Sequence, residues 1–194
     1  MSRVDIATVA GEAAVCTRCP LAHGRTQVVF GAGNPEADLM FIGEGPGAEE
    51  DLRGEPFVGR SGKLLDRLIA EELGTDRSSV YIANVVCCRP PENRDPLPEE
   101  ISACRPWLDA KLELIEPKVI ITLGNFATRR LLDTKLGITK MRGQEHPWED
   151  RIVVPTFHPS AAIRAGGGQV LAEMRADFVR AKQALSRIAA GISP

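Results

Sequence analysis

Four short apolar runs, each rich in β-branched residues, constrain this chain more than any other feature: Leu39 to Ile42, Val80 to Asn84, Val119 to Leu123 and Ile152 to Thr156. Runs that stay apolar without alternating fit strands buried on both faces. Strands separated by helical segments fit a parallel sheet with crossover connections. Helical spacing fills the intervals, at about Ser61 to Leu73, Leu97 to Leu114 and Asn125 to Leu132, with an N-terminal helix from about Val4 and a C-terminal one from about Gln169 to Ile188. The expected fold is α/β, a three-layer α/β/α sandwich around a central, mainly parallel four-stranded sheet. A length of 194 residues with 43% hydrophobic content suits a single domain over residues 1–194. Gly166-Gly167-Gly168 reads as a loose connection before the last helix.

Composition excludes some functions. The formal net charge of −2 gives no global basic field, so any contact with nucleic acid must come from a local basic face. No apolar run approaches the ~20 residues that cross a bilayer, and the stretch from Val4 to Val15 is interrupted by Asp5 and Glu12. The sequence therefore predicts no membrane partner and a cytoplasmic location.

The chain has five cysteines. An odd count argues against a disulfide framework and for a reducing compartment. Cys16 and Cys19 form a pair two residues apart, and Cys88 and Cys104 a second pair separated by a loop. Four thiolates suit a 4Fe–4S cluster or a structural zinc. Cys87 and Cys88 are neighbours, so their side chains diverge and one of them is left over.

Ligands of an open parallel sheet bind beyond the carboxyl ends of its strands. The segments that follow the four runs are Gly43-Glu44-Gly45-Pro46-Gly47, the stretch from Asn84 to Asn93 with Cys88-Arg89-Pro90-Pro91, Gly124-Asn125, and His158-Pro159-Ser160 running to Arg164. Together with the acidic run Glu49 to Asp51 and with Pro56-Phe57-Val58-Gly59, these pieces cover nearly the whole chain from Cys16 onward. In this order and spacing the chain resembles the family 4 uracil-DNA glycosylases, the iron–sulfur branch of that superfamily.

The resemblance implies an enzyme of DNA base excision repair that flips uracil out of DNA and hydrolyses its N-glycosidic bond, leaving an abasic site. It implies Phe57 as the stacking face, Asn84 as the amide that reads the imide edge, and His158 with backbone N–H groups near Gly45 as donors to the departing base. Glu44 and Asn93 would orient the attacking water. Each residue has an ordinary structural alternative: Phe57 in a core, Glu44 at a helix start, Asn93 in a turn, Asn84 bonded to backbone, His158 as a satisfied structural histidine.

The expected partner is uracil-containing DNA, single- or double-stranded, met by a monomer. Arg60, Lys63, Arg89, Arg94, Arg142 and Arg164 are candidates for phosphate contact, and Ile163 for a side chain wedged into the duplex. Ala161 and Ala162 stand where family members often carry bulkier residues. The alternative is a non-enzymatic iron–sulfur or zinc module that binds DNA or carries electrons. Against it, Ala48-Glu49-Glu50-Asp51 follows the glycine-rich turn where a phosphate loop would carry lysine.

Overall fold

A computed structural model of the chain describes residues 5–191. Its strands are β1 (Ala32–Gly33), β2 (Leu39–Gly43), β3 (Tyr81–Asn84), β4 (Val119–Leu123), β5 (His146–Trp148) and β6 (Arg151–Thr156). Its α-helices are α1 (Ile6–Ala14), α2 (Ala48–Arg53), α3 (Arg60–Leu68), α4 (Pro98–Ile115), α5 (Asn125–Leu132), α6 (Ile138–Met141), α7 (Pro159–Arg164) and α8 (Gly168–Ala189). The expected start of the first helix at Val4 lies outside the described residues.

The four apolar runs are the four parallel inner strands, in the order β3-β2-β4-β6. The sheet has six strands, which corrects the expected four: β1 and β5 add antiparallel edges. Both edges are short and half exposed, so neither carries the apolar pattern by which a buried strand is read. Side-chain alternation divides the core. Met40, Ile42, Ala83, Ile120 and Val153 face α1, α4 and α5. Leu39, Phe41, Ile82, Ile121 and Val154 face α3 and α8. That gives the expected three layers.

The order also locates the crevice. After β2 the chain runs to β3 on one side, and after β4 it runs to β6 on the other, so connections leave the adjacent strands β2 and β4 in opposite directions. Crevices of this kind, at the carboxyl ends of strands, are where doubly wound sheets bind ligands.

Candidate functional site

Gly43 ends β2 directly opposite Asn84 at the end of β3. A Cβ on Gly43 would stand 2.5 Å from Asn84 Oδ1 and 2.6 Å from Phe57 Cζ, so glycine is what lets these two side chains close on the strand end. The pairing continues past the strands, with Val85 N–H donating to Gly43 O at 2.9 Å and Val86 N–H to Glu44 O at 3.1 Å. Gly45 lies over Val86, where a Cβ would come within 2.8 Å of Val86 Cγ2.

Asn84 is 2% exposed, and its Oδ1 has no hydrogen-bond partner. A buried acceptor left unpaired costs on the order of 1–3 kcal/mol, so such a group calls for an explanation. The backbone-bonding alternative does not supply one for this oxygen.

Across from Asn84, the rings of Phe57 and His158 face each other at 5.7 Å between centroids, tilted by 35°. His158 follows β6 and caps α7, its Nδ1 accepting from Ser160 N–H at 3.2 Å with Ser160 Oγ at 2.8 Å. A backbone amide only donates, so Nδ1 is the acceptor and the neutral ring carries its hydrogen on Nε2. Burial, reinforced by the nearby Arg164 charge, pushes the imidazole down to about 4. The ring is thus a neutral donor at physiological pH. Asp177 braces the strand that leads to it: its carboxylate accepts from Thr156 Oγ1 at 2.8 Å and from Arg142 Nε at 2.9 Å.

Glu44 is half-buried, and burial, with the Asp95 carboxylate second, raises it from 4.5 to about 7. That is the range in which a carboxylate can serve as a base at neutral pH. Asn93 is exposed on a turn with φ of +53°, its Oδ1 accepting from Arg89 Nε at 2.7 Å. Among the described residues no side-chain hydrogen bond links Asn93 to Glu44, Asn84 or His158.

Of the basic residues, Arg60, Lys63 and Arg164 are exposed, and Ile163 is partly exposed on α7. Arg164 Nη1 reaches Ser160 Oγ at 3.1 Å, on the same turn as His158. Two candidates are engaged within the chain. Arg142 is committed inward, bidentate to Asp177 and donating to Glu173 O. Arg94 holds the buried Glu100 at 2.9 and 2.6 Å. Their partners lie 35 and 6 residues away. Neither pairing is visible from local composition.

Sequence reasoning missed Glu50 and Asp95 as site residues. Glu50 opens α2, and its carboxylate ties Gly47 N–H (3.1 Å) to Val58 and Gly59 N–H (both 2.9 Å), joining the glycine-rich turn to the Phe57 segment. The signal for it was present: Glu50 stands at capping-box distance from Gly47. Asp95 has no such signal.

On the other face of the sheet, Cys16, Cys19, Cys87, Cys88 and Cys104 line a single apolar pocket with Trp107, Arg25 and Val86. All five are free. Cys16 Sγ accepts from Trp107 Nε1 at 3.4 Å, Cys88 Sγ from Arg25 Nη1 at 3.6 Å, and Cys104 Sγ from the Cys87 amide at 3.2 Å. Cys87 Sγ instead meets the buried ammonium of Lys111 at 3.4 Å. Thiolate sulfurs with N–H donors around them fit an anionic metal–sulfur group. Among the described residues no group of three or more His, Cys, Asp or Glu side chains is arranged to hold a metal ion.

The uracil DNA glycosylase superfamily model matches residues 30–185. The chain belongs to that superfamily. It is 48% identical over 157 residues to a type-4 uracil-DNA glycosylase of Sulfurisphaera tokodaii, covering 76% of this chain and 71% of the relative. Identity is 47% to the type-4 enzyme of Thermotoga maritima, covering 89% and 90%, and 44% to that of Saccharolobus solfataricus, covering 96% and 88%. These relatives place the chain in the type-4 branch of the superfamily. No helix among the described residues is long and apolar enough to cross a membrane.

Proposed function

We propose that this chain is a uracil-DNA glycosylase: it binds uracil-containing DNA, stacks the flipped base on Phe57 with His158 beside it, and hydrolyses the bond to deoxyribose. The unpaired, buried Oδ1 of Asn84 carries the reading, because it offers an acceptor to an imide N–H beside an amide donor for the adjacent carbonyl. Cytosine presents a ring acceptor and an amine there, the reverse pattern. As the C1′–N1 bond breaks, its electron pair goes to the base, and His158 Nε2–H donates to the carbonyl where the charge collects. Glu44 in its ionised form orients the water that attacks C1′ and takes its proton. Arg60, Lys63 and Arg164 supply phosphate contact, with Ile163 beside the gap left by the base. Asn93, whose Oδ1 accepts from Arg89, orients the attacking water together with Glu44.

We further infer that Cys16, Cys19, Cys88 and Cys104 hold a 4Fe–4S cluster, with Cys87 outside the ligand set. When bound, the cluster contributes cross-linking of the chain rather than hydrolytic chemistry. The non-enzymatic alternative loses ground because the glycine-rich turn leads into a helix whose first turn holds Glu49, Glu50 and Asp51, a poor seat for phosphate.

The test is direct. A uracil-containing oligonucleotide incubated with the protein and then treated with alkali is cleaved at the uracil position, while its thymine counterpart stays intact. Intact uracil strands after incubation with folded protein would overturn the proposal.

A further inference from the structure

Phe57 has a backbone conformation that phenylalanine rarely adopts, with φ at +54°. This left-handed region crowds Cβ, and a side chain persists there only where its surroundings over-determine it. Here the segment is gripped from two sides. On the carbonyl side, Arg77 donates through Nη1 to Phe57 O at 2.9 Å and through Nη2 to Pro56 O. Asp66 Oδ1 at 3.1 Å and Glu55 Oε1 at 3.3 Å lie within ion-pair distance of the same guanidinium. On the amide side, Glu50 accepts from Val58 and Gly59 at 2.9 Å. Gly62 lets α3 come so close that a Cβ there would fall 1.8 Å from Phe57 O.

We propose that Arg77 is a positioning residue for base recognition, which sets the Phe57 ring opposite His158 by holding the carbonyls of residues 56 and 57. The inference rests on the excision activity proposed above. Arg77 precedes β3 in a short 3-10 turn, 20 residues beyond the carbonyl it binds, and shares no segment with the catalytic groups. Two successive carbonyls require a planar fork of donors, which arginine has and lysine lacks. The Phe57 and His158 rings are 5.7 Å apart, so a displaced Phe57 misplaces the base against its hydrogen-bond donor. Misplacement by ~1 Å costs on the order of 10²-fold in rate.

Single-turnover excision from a uracil-containing oligonucleotide, with thermal melting of each variant, separates placement from mere stabilisation. Arg77→Gln slows excision ~10–100-fold. Arg77→Lys, which keeps the charge beside Asp66, loses nearly as much, and it carries the comparison if Arg77→Gln does not fold. Asp66→Asn, which weakens the ion pair and spares the carbonyl contacts, stays near the wild-type rate whatever its melting temperature. In a Phe57→Leu background the same Arg77 substitution costs under about twofold, because the ring it places is gone. Equal fold losses in both backgrounds would overturn the inference, as would full rate in Arg77→Lys or in Arg77→Gln. Inactive wild-type protein would overturn the functional reading together with this inference, whereas active wild type with unimpaired Arg77 variants overturns the inference alone.

Discussion

Glu44 and His158 are both pushed toward their neutral forms, one upward to about 7 and the other downward to about 4, and burial is the leading cause of each. If ionised Glu44 orients the water while neutral His158 donates, single-turnover excision rises about tenfold per pH unit below about 7 and levels off above it. A Glu44→Gln variant is slow at every pH and loses that rise. Stability responds with opposite signs at the two residues. The native state holds the Glu44 proton where the unfolded chain has lost it, so between about 4.5 and 7 this group lowers stability as pH rises. His158 is neutral in the native state where the unfolded chain is charged, so between about 4 and 6.5 it raises stability as pH rises. Denaturant titrations of Glu44→Gln therefore show stability climbing more steeply over pH 4–6.5 than in wild type, and an unchanged slope would contradict the shift at Glu44. His158→Ala slows the chemical step by about 10²–10³, with little loss of DNA affinity, since its donor meets charge that appears only in the transition state.

Among the elements, what the sequence makes visible follows burial. The inner strands announce themselves because parallel strands covered on both faces must be apolar throughout, and β4 lies over Val119–Leu123 as expected. Edge strands of two and three residues, one of them His146-Pro147-Trp148, carry no such pattern. The rim segments were legible as loops after strands, and Asn84, Phe57 and His158 do converge there. Charged side chains were less legible, because pairing depends on a distant partner. Arg142 and Arg164 are alike in composition, yet one is bound to the fully buried Asp177 and the other stands exposed at the end of α7. Removing Arg142 strands a buried carboxylate, so Arg142→Ala costs about 3–5 kcal/mol of stability and leaves the salt dependence of DNA binding unchanged. Arg164→Ala leaves stability near wild type and flattens the salt dependence by about one unit of slope. Affinity measured over a series of salt concentrations, alongside thermal melting, distinguishes the two roles.

Over the whole molecule, the cysteine pocket and the base site lie on the same backbone. Val85 and Val86 pair with the Gly43-Glu44 end of β2, and the next two residues are Cys87 and Cys88. Arg25 donates to Cys16 O at 2.6 Å while its neighbour Thr26 donates to Asp51 of α2 at 2.9 Å, a second tie between the two regions. If these cysteines hold the proposed cluster, loss of one ligand loosens the base site. Cys16→Ser, Cys19→Ser, Cys88→Ser and Cys104→Ser lose the brown iron–sulfur absorbance and melt at lower temperature, while Cys87→Ser, whose thiol faces Lys111, keeps its colour. Bleaching by Cys87→Ser with colour retained in Cys88→Ser would reverse the ligand assignment. The two regions meet at the strand end that carries Asn84, the side chain on which uracil recognition turns in the proposed function. The most direct measurement is single-turnover excision of uracil by wild type and by Asn84→Asp, with folding of both verified by circular dichroism. A carboxylate offers only acceptors, so it repels the carbonyl beside the imide, and a buried mismatch of this kind costs ~1–3 kcal/mol or more. The account predicts that Asn84→Asp excises uracil at least about tenfold more slowly than wild type. Undiminished excision by the folded variant would contradict it.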